Sequence, residues 1–274
     1  MKDWKSRVQA LIDGADTLSD SLKSRVRKVI GFNNPLIIVP YLGYGTADKL
    51  MVSGRVLEDD GFTPARDADR TWRNLINMYK RFETNEVPGA RIRALFQGVE
   101  REATADQEGY FSLEIHPAQP LDSQPWQKVE LELLNPPSRD GQPVRAAAQV
   151  LVPPATAKFG TISDVDDTII STKVTNKLKM ILTVILLNEH TRKPFEGVAA
   201  FYRALQKGAS GDDENPIFYV SNSPRNLYTL LLEFLKVQEI PIGPLLLRDF
   251  GDHLLYSKDH HSHKRSNIKR ILEA

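Results

Sequence analysis

The chain contains no cysteine. That excludes disulfides, thiolate metal sites and a cysteine nucleophile, and it suits a reducing cytoplasm. There is no long apolar run either. The longest, Met180 to Leu187, is interrupted by Thr183 and falls well short of the about 18 residues a membrane-spanning helix needs. Neither charge sign is in excess: 36 Lys and Arg against 35 Asp and Glu give a net charge of +1. Any attraction to nucleic acid or to a membrane therefore has to be local. The amino terminus, Met1-Lys2-Asp3-Trp4-Lys5, leads into a mixed polar segment with no apolar signal-peptide core. These absences set the expectation of a cytoplasmic protein with no nucleic-acid partner and at most peripheral membrane contact. With 274 residues, 41% hydrophobic and 26% charged, the composition is that of a globular chain of two domains or one large one.

Residues 3–30 read as helix with a break near Gly14. Leu22, Val26, Val29 and Ile30 recur at helical spacing, with Lys23, Arg25, Arg27 and Lys28 among them. Such a face either packs on the protein's own surface or lies on an anionic membrane. Residues 35–153 read as a β domain. Leu36–Val39, Met51–Leu57, Arg91–Phe96, Val129–Leu133 and Ala146–Val152 are strand-like, and Asp106 to Leu113 reads as a turn feeding another strand. Gly43-Tyr44-Gly45 and Pro88-Gly89 separate strands. Trp72 to Phe82 reads as a helical insertion. Many short strands with turns between them predict an all-β sandwich. Pro153-Pro154-Ala155-Thr156-Ala157-Lys158 is the best linker.

Beyond the linker, strand and helix alternate, which predicts a mostly parallel sheet. The apolar run Phe159 to Ile162 reads as a short buried strand. Residues 169–196 follow, with the apolar stretch Leu178 to Asn188 read either as a lid or as a helix packed in the domain. A helix begins around Phe195, Gly208 to Asn215 is a polar loop, and Ile217 to Ser221 is the second strand. Ser223 is expected to cap a helix with Pro224 in its first position, running to about Val237. Leu245–Leu247 is a third strand. Ser262 or His263 opens a last helix with Ile268, Ile271 and Leu272 facing inward.

The chemistry concentrates at the first of these strands. Asp164 and Asp166 stand two residues apart, followed by Thr168. An extended backbone points both carboxylates the same way, beyond the strand's carboxyl end, where open α/β sheets place ligands. Two carboxylates so close need a cation, a shared proton or full solvation. An oxygen-only donor set suits a hard ion such as Mg2+. One carboxylate could attack phosphorus while the other handles the leaving group's proton. The plainer alternative is an acidic turn in which Asp167 or Thr168 caps the next segment.

Asp164-Val165-Asp166-Asp167-Thr168 resembles the D-x-D-x-T signature of the haloacid dehalogenase (HAD) superfamily of phosphatases, and Ile217-Phe218-Tyr219-Val220-Ser221 resembles its second motif. With Ser163 to Ile169 and the continuation Asn222-Ser223-Pro224-Arg225-Asn226-Leu227-Tyr228, the chain resembles the HAD-type phosphatidate phosphatase family linked to actin patches, together with its bacterial relatives. The resemblance implies a Rossmann-like α/β catalytic domain over 158–274, preceded by a transthyretin-like or immunoglobulin-like sandwich over 35–153 and a helical segment over 1–34. It implies Mg2+ held by Asp164 and Asp166, with Asp164 as nucleophile and Asp166 as acid and then base. Thr168 and Ser221 would orient groups, and Lys264, at the family's third-motif position, would stabilise charge. Arg265 and Lys258 are fallbacks for that lysine. His260, His261 and His263 read as an exposed loop rather than a metal site. Asp249 and Asp252 read mainly as loop residues, one of which could line the entrance.

The expected substrate is phosphatidate or a related lipid phosphate. The alternatives are a soluble phosphomonoester or a catalytically silent binding protein of the same fold. In the family a further strand and an acidic G-D-S-G-type loop follow the lysine helix, whereas this sequence closes at Ile271-Leu272-Glu273-Ala274. The catalytic domain is thus expected to be incomplete at its carboxyl end, with weak Mg2+ binding.

Overall fold

The computed structural model describes residues 34–59, 86–121, 124–165, 197–248 and 260–273. The expected helices at 3–30 and 72–82 and the lid-or-core segment at 169–196 lie outside them.

The first part of the chain forms β1 (Leu36–Pro40), β2 (Gly43–Gly45), β3 (Leu50–Glu58), β4 (Arg91–Phe96), β5 (Val99–Thr104), β6 (Tyr110–Ile115), β7 (Trp126–Asn135) and β8 (Arg145–Leu151). They make one eight-stranded sheet in the order β1-β3-β2-β8-β7-β4-β5, with β6 on the other edge of β3. Every pairing is antiparallel except that of β2 with β8. Side chains alternate as a pleated strand requires. Ile92, Ala94 and Phe96 of β4 face the same core as Val129, Leu131 and Leu133 of β7. The opposite face carries charge: Glu132 accepts from Arg93 and Arg145, each at 3.3 Å.

Two strands escape the sequence pattern. Gly43-Tyr44-Gly45 is itself a strand, not a separator. A Cβ on Gly43 would fall 2.2 Å from the Met51 carbonyl oxygen, so glycine there permits close backbone approach rather than a turn. β5, Val-Glu-Arg-Glu-Ala-Thr, has almost no apolar signal. It is held by its full-length pairing with β4 through the two-residue turn Gln97-Gly98. Both turn residues have positive φ, 49° and 79°, matching the twist of a tight hairpin.

The second part forms a parallel sheet, β11-β10-β9, from β9 (Thr161–Asp164), β10 (Ile217–Pro224) and β11 (Leu245–Arg248). Helices α1 (Val198–Lys207), α2 (Tyr228–Val237) and α3 (His260–Leu272) accompany it. Ile217 and Tyr219 of the central strand pack against Leu231, Phe234 and Leu235 of α2 and Tyr202 of α1.

Local details correct the reading. Phe159 is 45% exposed and the strand starts at Thr161, so the apolar run is not a buried strand from its first residue. β10 continues through Ser223 and Pro224, a 3-10 turn covers Arg225–Leu227, and α2 starts only at Tyr228. Ser223 is therefore not the residue at the helix start; it is buried in the strand. On α3, Ile271 is half-buried against the Phe218 cluster, but Ile268 and Leu272 are 38% and 75% exposed. Buried Asn267 takes the inward place instead.

The two sheets meet through aromatic side chains. Tyr44 sits edge-on to Phe218, ring centres 5.9 Å apart. Tyr41 stacks on Tyr228 at 3.8 Å, and the Leu42 N–H donates to the Tyr228 hydroxyl at 2.6 Å.

Candidate active site

The site grows from the register of two parallel strands. Asp164 is the last residue of β9 and lies opposite Val220 of β10. The Val165 N–H donates to the Val220 carbonyl at 3.2 Å, which carries the alignment one step past the strand. Ser221 is the next residue after Val220, so it stands beside the carboxyl end of β9, three residues before β10 itself ends. Ser221 is fully buried, and its hydroxyl accepts the Ser223 N–H at 2.9 Å. The extension of β10, which displaces the expected cap, thus gives Ser223 a role in fixing the Ser221 rotamer.

Lys264 reaches the same point from α3. Its ammonium donates to Asp164 Oδ2 at 2.5 Å, joining residues 100 apart in sequence. The two side chains are 23% and 31% exposed. A charge-assisted bond in such a half-open setting is stronger than one in bulk water, without the desolvation cost of a deeply buried pair. Arg265, the fallback, is exposed.

The opposite face of β9 holds a second contact. Ser163 is buried and its hydroxyl lies 2.5 Å from that of Tyr202 on α1. Ser163 Oγ also donates to the Asp164 carbonyl at 3.2 Å, so the Tyr202 hydroxyl is the donor to Ser163. Burial raises the Tyr202 pKa, the Ser163 hydrogen bond lowers it, and the Asp164 charge raises it further. The phenol therefore stays protonated, as a donor must. Tyr202 is not among the residues the motifs single out. Its only sequence signal is its place, with Ala199, on the inward side of α1.

Asp164, Ser221 and Lys264 are thus brought together. Asp166 and Thr168 lie outside the described residues, as do Asp249, Asp252 and Lys258 and the side chains of His260, His261 and His263. Among the described residues no three acidic or histidine side chains converge in a way that could hold a metal ion. No helix among them is long and apolar enough to cross a membrane.

A parallel sheet with a carboxylate, a hydroxyl and an ammonium at its carboxyl end belongs to the α/β class that binds ligands at strand ends. Residues 159–274 match the family model described as phosphatidate phosphatase APP1, catalytic domain. The resemblance carried by Ser163 to Ile169 and Ile217 to Tyr228 is borne out over that part of the chain. Phosphatidate phosphatase APP1 of Saccharomyces cerevisiae (strain ATCC 204508 / S288c) is 34% identical over 93 residues, which are 34% of this chain. The match spans 15% of that protein's length.

Proposed function

We propose that residues 158–274 form a HAD-type phosphatase domain acting on phosphatidate or a related lipid phosphate. The observation that carries this reading is the Lys264–Asp164 contact beside Ser221 at the end of two parallel strands. Both the family match and the relative's name point to the same substrate class.

The proposed reaction is in-line displacement. A carboxylate oxygen of Asp164 attacks phosphorus while Asp166 delivers its proton to the departing alkoxide, leaving an aspartyl-phosphate and free diacylglycerol. Asp166, now a base, takes a proton from water, whose oxygen attacks phosphorus and releases phosphate with Asp164 restored. Lys264 orients the Asp164 carboxylate through Oδ2 and offsets charge that grows on the phosphoryl oxygens. Ser221 and Thr168 hold those oxygens. The donor chemistry at Asp164, carboxylate oxygen at a half-exposed strand end, fits a hard cation, and Asp166 would supply the second oxygen ligand. Mg2+ held there would supply neutralisation of phosphoryl charge.

In this reading residues 35–153 are a sandwich domain that supports or docks the catalytic one, and the protein works in the cytoplasm at a membrane surface. The separate cores of the two sheets are consistent with that division. The test is phosphate release from phosphatidate in mixed micelles and from an aryl phosphate, with Mg2+ titrated in each. Release from phosphatidate that rises with Mg2+ is expected. Release from the aryl phosphate alone would move the substrate to soluble phosphomonoesters. No release from either would move the domain to a binding role.

A further inference from the structure

The peptide unit that joins Asp164 to Val165 is held at both ends. Its N–H donates to the Val220 carbonyl at 3.2 Å, and its carbonyl accepts the Ser163 hydroxyl at 3.2 Å. The C=O and N–H of a trans peptide point opposite ways, so this carbonyl faces away from β10 and their ladder cannot hold it. A serine hydroxyl rotates freely unless its lone pairs are engaged. Here the Tyr202 hydroxyl, 2.5 Å away on α1, donates to it and leaves the serine proton for the Asp164 carbonyl. We propose that Tyr202 is a positioning residue for the strand-end site. Through Ser163 it fixes the Asp164–Val165 peptide, and with it the direction in which the chain presents the Asp164 carboxylate and departs toward Asp166.

Packing alone does not call for the phenol hydroxyl. Tyr202 is 3% exposed, with its ring centre 6.1 Å from that of Tyr219 and 5.7 Å from that of Phe201. Phenylalanine would fill that place without the cost of burying a hydroxyl. Ser163 is buried as well, so each hydroxyl needs the other as partner. The pair carries the position of α1 to β9, while Lys264 holds the Asp164 carboxylate from α3 through Oδ2. One helix thus acts on the backbone of this residue and another on its side chain. The peptide is planar, so pinning it sets the remaining backbone torsion of Asp164. The effect on turnover rests on the phosphatase reading above; the hold on the peptide does not.

The test compares Tyr202→Phe, Ser163→Ala and the double variant of the full chain, with rates expressed per folded molecule. Tyr202→Phe should lower kcat for phosphatidate about tenfold and change KM by less than about twofold, because a misplaced nucleophile slows the chemical step and not substrate binding. Ser163→Ala should give a similar loss. The hydroxyls act in series, so the double variant should lose no more than either single one. Ser163→Thr keeps a hydroxyl and should recover most of the rate. An unchanged kcat in Tyr202→Phe, as a purely packing role requires, would overturn the inference, and so would a double-variant loss near the product of the two single losses.

Hydrogen exchange supplies a readout that needs no turnover. The Val165 amide should exchange about tenfold faster in Tyr202→Phe. The Tyr219 amide, which donates to the Pro244 carbonyl at 2.8 Å, should keep its rate. Equal acceleration of both would mean general loosening of the sheet and would count against the inference. If the unaltered chain hydrolyses neither phosphatidate nor an aryl phosphate, the phosphatase reading fails and exchange alone decides. Selective acceleration at Val165 would then keep Tyr202 as the residue that holds this strand end, and an unchanged rate there would remove it.

Discussion

Asp164 and Lys264 hold each other at 2.5 Å in a half-open setting, so each substitution removes one charge and leaves the other without its counterpart. Asp164→Asn keeps the shape and, in the proposed mechanism, removes the nucleophile. Phosphate release from phosphatidate should fall by about 10^3-fold or more, roughly 4 kcal/mol of transition-state stabilisation. Turnover near that of the unaltered chain would remove Asp164 from the mechanism. Lys264→Met should cost about 10^2-fold in kcat with a smaller change in KM, because its ammonium is asked to meet charge that appears only as the bond forms. A different residue-scale effect comes from the buried phenols. Tyr110 ionises at about 12 rather than 10, so the unfolded chain loses this proton first as pH rises. The associated stability is complete below pH 10 and is lost between about 10 and 12. Absorbance of tyrosinate followed alongside circular dichroism should show the buried tyrosines ionising together with unfolding in that window. Free ionisation of Tyr110 near pH 10, with the fold intact, would contradict its burial.

At the scale of elements, what the sequence made legible and what it hid have physical causes. Strands with one apolar face were readable: Ile92, Ala94 and Phe96 on β4, and Val129, Leu131 and Leu133 on β7. β2 was hidden because glycine serves turns and close approaches alike, and only the Met51 carbonyl, met in three dimensions, decides between them. β5 was hidden because its stability comes from the partner strand rather than from its own apolar pattern. The helix after Ser221 was placed too early. Ser223-Pro224 is a good helix start locally, but β10 pairs with β11 as far as Pro224↔Arg248, and tertiary pairing outweighs the capping preference. In the site, Asp164, Ser221 and Lys264 could be found by motif. Tyr202 could not, since it acts through a contact with a residue 39 positions away. Tyr228 yields a prediction of its own. Tyr228→Phe removes the acceptor of the Leu42 N–H, a donor then left unpaired between the sheets. Chemical denaturation should report a loss of about 1–3 kcal/mol, and unchanged stability would mean that water replaces the hydroxyl.

For the whole molecule, the connection at 153–158 runs largely over the surface, with a single turn-type backbone bond from Ala157 to Pro154 at 3.0 Å. Limited proteolysis should cut there or in 208–215 before it cuts either sheet, because protease access follows exposed backbone with few hydrogen bonds. A first cut inside Arg91 to Leu113, where the strands are fully paired, would contradict the organisation described here. After a cut at 153–158 the pieces should still elute together, because the contacts of Tyr41 with Tyr228 and Tyr44 with Phe218 join the sheets across the break. Separation under native conditions would show that those contacts need the covalent tether.

The 100 residues between Asp164 and Lys264 also govern when the site comes into being. A ribosome adds about 5–20 residues per second, so Asp164 leaves it several seconds or more before Lys264. β10 follows within that interval, but α3 comes only at its close. Closing so long a loop has an entropic cost that only the assembled sheet offsets. The nascent chain therefore passes through most of its synthesis with Asp164 and Lys264 apart, and their contact forms only when α3 docks.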